Sequence, residues 1–231
     1  MDYDKSMMTS EKTDIKDRID SIRNTIPGHV KILAAAKTRS MDEVRIAFKA
    51  GIHVFGHNYV QEASDMIQMA SINAEWHMIG HLQRNKAKQA VAIFDMIESV
   101  DSLRLARELE KRCSQISKMM PVLIEVNSGR EENKTGVLPE KASEIVQFLD
   151  GCQYLKLKGL MTMGPMMGDP ELSRPYFKET RRLYEEIVTM ALKNVEMQIL
   201  SMGMSNSYQV AIEEGANLIR LGTSIFGPRH S

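Results

Sequence analysis

Lys37 closes an apolar run, Val30-Lys31-Ile32-Leu33-Ala34-Ala35-Ala36, and is followed by Thr38. A lysine emerging from a buried strand can be desolvated, which favours the neutral amine that attacks an aldehyde. Near the other end, Leu218-Ile219-Arg220-Leu221-Gly222-Thr223-Ser224-Ile225-Phe226-Gly227 opens from an apolar run into glycine and hydroxyl residues. There Gly222 permits close backbone approach, and Thr223 offers an amide and a hydroxyl to a phosphate. Arg220 stands inside an otherwise apolar strand, where a guanidinium needs an acceptor. Each feature also has a plainer reading: a lysine reaching solvent, and a last strand ending in a glycine turn.

Ser201-Met202-Gly203-Met204-Ser205-Asn206 precedes a helical segment that begins near Ser207. Ser205 alone reads as a helix N-cap. A helix start beside the Gly222-Thr223 turn is also where barrel folds hold phosphate, so the pair says more than either part. An amine that traps aldehydes, next to a phosphate cup, fits pyridoxal phosphate. The histidines offer a competing constellation, because His53 and His57, and then His77 and His81, stand four apart. On a helix that spacing would present zinc ligands on one face, the site of a zinc-dependent hydrolase. Both pairs straddle a strand-to-loop transition, which argues for ordinary hydrogen-bonded histidines instead. Asn58, after the second strand, reads either as a residue at the mouth of the fold or as a helix cap.

The elements that must position these residues follow from the hydrophobic pattern. Ile15, Ile19, Ile22 and Ile26 recur at helical spacing until Pro27-Gly28 stops them, which predicts an opening helix. Short apolar runs then predict strands at Val30 to Ala36, Val54-Phe55, Glu75 to Ile79, Phe94 to Val100, Pro121 to Val126, Leu155 to Met161, Met197 to Leu200 and Leu218 to Leu221. Between them lie amphipathic stretches such as Asp42 to Lys49, Asp101 to Lys111, Glu140 to Leu149, Arg174 to Leu192 and Ser207 to Glu214. Sustained alternation of this kind predicts an α/β fold, a single (β/α)8 TIM barrel preceded by an extra N-terminal helix. The pattern alone leaves an open, doubly wound sheet as the alternative, although no Gly-x-Gly-x-x-Gly turn follows the first strand. The polar loop Asn127 to Gly136 and the Gly164 to Pro170 loop would both lie at the C-terminal face.

Lys plus Arg and Asp plus Glu both number 30, so no global field favours nucleic acid or an anionic membrane. The 18 methionines are scattered as core filling is. Cys113 and Cys152 have no metal-type spacing, Met1 to Lys5 lacks a signal-peptide stretch, and no apolar run approaches the ~20 residues that span a bilayer. The expected setting is the cytoplasm, where the Asn133-Lys134-Thr135 sequon is incidental. One domain over residues 1–231 is expected.

Taken together, these segments resemble the pyridoxal phosphate homeostasis protein family. The matching blocks are Ala36-Lys37-Thr38, Phe55 to Glu62, Trp76-His77-Met78-Ile79-Gly80-His81-Leu82-Gln83, Ser99 to Leu103, Glu132-Asn133-Lys134-Thr135-Gly136, Gly159 to Met163, Ser201 to Ser205 and Arg220 to Gly227. They run in family order from about Val30 to the C-terminus. The resemblance implies a barrel like the N-terminal domain of alanine racemase, with pyridoxal 5'-phosphate (PLP) held as a Lys37 aldimine. It assigns Ser205, Gly222 and Thr223 to the phosphate and Arg220 to the pyridine nitrogen, and it places Asn58, His81 and Met204 in pocket-lining motifs. Three departures stand out: His57 for a common glutamate, which would alter pocket charge, Ala36 for a small polar residue, and Arg39-Ser40 where Lys-Pro is frequent.

An arginine beside the pyridine nitrogen disfavours its protonation and weakens the cofactor as an electron sink. No second acid/base opposite Lys37 is evident in the sequence, and the chain is too short for the racemase's additional β domain. The expectation is therefore a noncatalytic protein that binds, buffers or delivers PLP, a monomer whose partners are PLP and PLP-dependent apoenzymes, without nucleic acid or membrane. The alternative is a PLP-dependent amino-acid racemase-type enzyme.

Overall fold

A computed structural model describes residues 14–165 and 168–228. Met1 to Lys5, and Met166 and Met167 of the second mouth loop, lie outside the described residues. The opening helix α1 covers residues 14–23 and buries Ile15, Ile19 and Ile22. Eight parallel strands follow: β1 (Lys31–Ala35), β2 (Val54–His57), β3 (Glu75–Met78), β4 (Met96–Val100), β5 (Met120–Val126), β6 (Leu155–Thr162), β7 (Val195–Ser201) and β8 (Leu218–Leu221). They close into a barrel in sequence order, β8 pairing with β1. All eight coincide with the predicted runs, and closure decides against the doubly wound sheet.

Helices α2 (Met41–Lys49), α3 (Val60–Ala70), α4 (Ala87–Ile93), α5 (Leu103–Gln115), α6 (Ala142–Asp150), α7 (Arg174–Thr189), α8 (Tyr208–Glu213) and α9 (Thr223–Phe226) connect the strands or follow the last one. Local chemistry sets their ends. Ser40 and Glu43 form a reciprocal capping box at α2, and Ser102 caps α5 by accepting from the Leu105 N–H. Leu105, Ala106, Leu109 and Cys113 make one buried stripe on α5, and Phe177, Thr180, Leu183 and Ile187 make the corresponding stripe on α7. Among the described residues no helix is long and apolar enough to cross a membrane.

Strand alternation splits the apolar side chains into two sets. Ile32, Ala34, Phe55, Trp76, Ile97, Val122, Ile124 and Ile219 face the helices and join the large outer core. Inside the barrel, Leu33, Ile79 and Leu218 form one small cluster, and Met96, Leu123 and Met161 form another. Further inward positions carry His77, Glu98, Glu125, Ser201 and Arg220, all buried. This barrel is therefore filled by two apolar plugs and a polar seam, and the site is built on that seam.

The strands around β6 are irregular, with register shifts where β6 pairs with β5 and with β7. Gly159 lies at both shifts, with φ +156°, and a Cβ there would overlap the carbonyl of Ile199. Gly159→Ala must push β7 away from β6. The expected result is a loss of at least about 2 kcal/mol of stability, read as a lowered urea midpoint with unchanged slope.

Candidate functional site

Parallel strands put all their C-terminal ends at one mouth. Leu33, Ala35 and Lys37 alternate on the inner side of β1 and its extension, so Lys37 reaches the mouth half-buried. Thr38 follows in the left-handed region, φ 61°, and its N–H donates to the Glu62 carboxylate at the start of α3. Arg39 is buried. It donates to the carbonyls of Phe226 (3.4 Å), Gly227 (2.6 Å) and Pro228 (3.4 Å), and its guanidinium lies over the Phe226 ring. The lysine loop is thereby clamped to the turn that follows β8.

That turn carries the predicted phosphate positions. Register pairs Ala34 with Leu221, which sets Gly222 beside Ala35; a Cβ on Gly222 would lie 3.7 Å from that of Ala35. Ser205, in the loop after β7, does not cap α8; the N-cap position belongs to Ser207. Instead the Ser205 hydroxyl oxygen accepts from the backbone N–H groups of both Gly222 and Ser224, each at 3.2 Å. Two amides converging on one oxygen form the type of backbone nest that binds phosphate oxygens. Ser224, which sequence reasoning passed over, supplies one of the two. Thr223, between them, is exposed at the mouth, and Met204 is half-buried in the β7 loop.

Asn58 and His81 lie across the mouth. Neither caps a helix: Tyr59 holds the N-cap position of α3, and His81 sits in the loop after β3. The two loops press together at Gly80, where a Cβ would come within 2.6 Å of the Asn58 Cα and carbonyl. Asn58, His81, Thr135 and Met163 line a cleft of about 500 Å³. His81 donates from Nδ1 to Asp101 Oδ2 (2.8 Å), with half its side chain exposed.

Arg220 is buried inside the barrel and donates from Nη1 to Ser201 Oγ (2.7 Å) and from Nη2 to the Thr162 carbonyl (2.8 Å). Ser201 donates onward to Glu98 Oε2 (2.6 Å). The other Glu98 oxygen lies 2.6 Å from His77 Nδ1, and His77 Nε2 lies 3.0 Å from Glu75 Oε1. Burial pulls His77 down, but the two carboxylates reverse that and hold it up at about 9. Burial likewise opposes ionisation of Glu98, yet His77, Arg220 and Ser201 keep it below the usual carboxylate range. Glu125 is different: burial pushes its carboxyl up, and only Oε1 is partnered, by the Thr135 hydroxyl at 2.6 Å.

One expectation needs correction. His57 does not alter the charge of the mouth, because β2 alternation turns it outward, where it stacks on Trp76 beneath the helices. Its ring nitrogens are buried, and burial lowers its pKa, with Glu62 at 4.0 Å partly opposing. Nor do the four histidines converge: His53 lines the opposite end of the barrel, His57 faces out, His77 faces in and His81 stands at the mouth. Among the described residues no cluster of three or more His, Cys, Asp or Glu is placed to hold a metal.

Comparisons with known proteins agree with this architecture. The family described as alanine racemase, N-terminal domain, matches residues 11–230. The pyridoxal phosphate homeostasis protein of Aquifex aeolicus is 41% identical over 200 residues, 86% of this chain and 87% of the relative. PipY of Synechococcus elongatus, solved without PLP, superposes with a TM-score of 0.87 at 32% identity, covering 92% of this chain and 100% of PipY. Its structure with PLP bound gives 0.84 at 31% identity over the same shares.

The polar seam predicts a pH signature. His77, raised on folding, contributes stability that is fully present below its ordinary 6.5 and lost as pH rises through about 9. Glu98 and Glu75, lowered on folding, contribute stability that is lost as pH falls below the carboxylate range. Urea unfolding between pH 6 and about 10 should therefore show a falling alkaline limb, and His77→Asn should flatten it.

Proposed function

Because this chain belongs to the alanine racemase N-terminal-domain family, and within it to the pyridoxal phosphate homeostasis proteins, we propose that it binds PLP through Lys37 and takes part in PLP homeostasis by holding and handing on the cofactor. When bound, PLP supplies an aldehyde that primary amines attack reversibly. The observation that carries the reading is the nest at Ser205, where the Gly222 and Ser224 amides converge one strand seam away from Lys37.

In this reading Ser205, Gly222 and Thr223 bind the phosphate, Ser224 adds its amide, and Lys37 provides the amine. The hydroxyl of Ser205 already satisfies the two amides, so they remain aimed at one point while the phosphate exchanges. Arg220 is assigned to the ring nitrogen by family resemblance. A guanidinium there holds that nitrogen unprotonated, which suits storage and release better than carbanion chemistry. Asn58, His81 and Met204 line the mouth. Delivery to PLP-dependent apoenzymes, a monomeric state and a noncatalytic role belong to the same proposal.

One observation favours a second reading, a PLP-dependent enzyme of the racemase type. His81, its Nδ1 bonded to Asp101, has the form of an oriented acid/base pair opening on the mouth that Lys37 enters. That reading requires Lys37-dependent exchange of the α-hydrogen of an amino acid for deuterium. No exchange across a panel of amino acids removes it.

Borohydride reduction followed by peptide mapping tests the main reading. PLP should be fixed on the Lys37 peptide in wild type and on none in Lys37→Ala; fixation elsewhere, or unchanged fixation in the variant, refutes the assignment. Ser205→Ala should weaken PLP binding by about tenfold, the loss of roughly one charge-assisted hydrogen bond.

A further inference from the structure

Glu98, Ser201, His77 and Glu75 have no part in the reading above, yet they form an unbroken hydrogen-bonded chain ending on Arg220. The direction of each bond is fixed by its neighbours. Arg220 can only donate, so Ser201 Oγ accepts from it and must send its one proton to Glu98. His77 meets a carboxylate at each ring nitrogen, so both nitrogens carry hydrogen and the ring is an imidazolium. Charge then alternates from Arg220 to Glu98 to His77 to Glu75 and sums to zero, which is what makes ions tolerable inside a barrel.

The two ends of this chain meet different surroundings. Arg220 lies beneath the mouth, two residues before Gly222. Glu75, the first residue of β3, is half-exposed at the opposite end of the barrel, on a cavity of about 520 Å³ shared with Lys31 and His53. We infer that Glu98 is a positioning residue for Arg220, and that the chain through Ser201, Glu98 and His77 carries the influence of Glu75 from the opposite end of the barrel to the cofactor's ring. The inference rests on the PLP reading above. Glu98 and Ser201 orient the guanidinium, His77 supplies the counter-charge that keeps Glu98 ionised, and Glu75 keeps His77 charged.

Glu98→Gln keeps the shape while deleting the charge and turning one acceptor into a donor; with the amide oxygen on the Ser201 hydroxyl, the N–H faces His77 Nδ1, which must then be unprotonated. Ser201→Ala cuts the chain beside Arg220, and Ser201→Thr restores the hydroxyl. Glu75→Gln perturbs the far end at a half-exposed position that does not threaten folding. PLP affinity and the absorbance maximum of bound PLP are measured for wild type and all four variants. The protonation state of the His77 ring is followed by 15N NMR in cofactor-free protein. The expected result is affinity lowered about tenfold or more with a displaced absorbance maximum in Glu98→Gln and Ser201→Ala. Ser201→Thr should return to within about threefold of wild type, and Glu75→Gln should lose about threefold. The His77 ring should be doubly protonated at neutral pH in wild type and neutral in Glu98→Gln. Wild-type affinity and spectrum in folded Ser201→Ala and Glu75→Gln, with wild type binding PLP normally, would overturn the inference even if Glu98→Gln fails to fold. A wild-type protein that binds no PLP would instead overturn the cofactor reading itself.

Discussion

A guanidinium buried in a barrel is the constraint around which the interior is arranged. Arg220 occupies an inward position of β8 where other barrels place an aliphatic side chain, and removing such a charge from water costs several kcal/mol. The chain meets that cost with Ser201 and the Thr162 carbonyl in direct contact and Glu98 one bond further on. Glu98 is then itself a buried ion, and His77 answers it. The apolar filling is consequently divided into two clusters flanking the polar seam, where an ordinary barrel has continuous layers.

Most of the scaffold was legible in the residues. Strands are short apolar runs bounded by polar breaks, and helices such as α5 carry a stripe at i, i+4 and i+8 that survives any tertiary context. Closure was legible in the count of eight units and in the family resemblance and not in the pattern of any strand, because a parallel sheet reads alike open or closed; the pairing of β8 with β1 bears it out. The same argument that singled out Arg220, a charge inside an apolar run, applies equally to Glu98 in Met96-Ile97-Glu98-Ser99-Val100 and to Glu125 in Leu123-Ile124-Glu125-Val126. Both were passed over because a carboxylate in a strand of alternating residues reads as the solvent-facing position, and in a closed barrel the inner face is no solvent face.

The histidines teach the complementary lesson. A spacing of four means one face of a helix, but in a strand running into a loop it only guarantees the same parity for the residues still in the strand. His77 turns inward to Glu98, while His57, at the end of the neighbouring strand, turns outward to Trp76. Register pairs Gly56, not His57, with His77, so pleat and register place the two imidazoles on opposite sides of one sheet. The residue at position 57 thus acts on the packing under α3 and not on the mouth.

Arg39 gives the mouth a mechanical asymmetry. By binding the carbonyls of residues 226, 227 and 228 it ties the loop bearing Lys37 to the turn bearing Gly222 and Ser224, so amine and nest move as one body. Parting Lys37 from the nest would cost these three bonds and the contact of the guanidinium with the Phe226 ring. The seam between the last strand and the first is thus the braced jaw of this mouth, and the rim carrying Asn58, His81 and Thr135 faces it across the cleft.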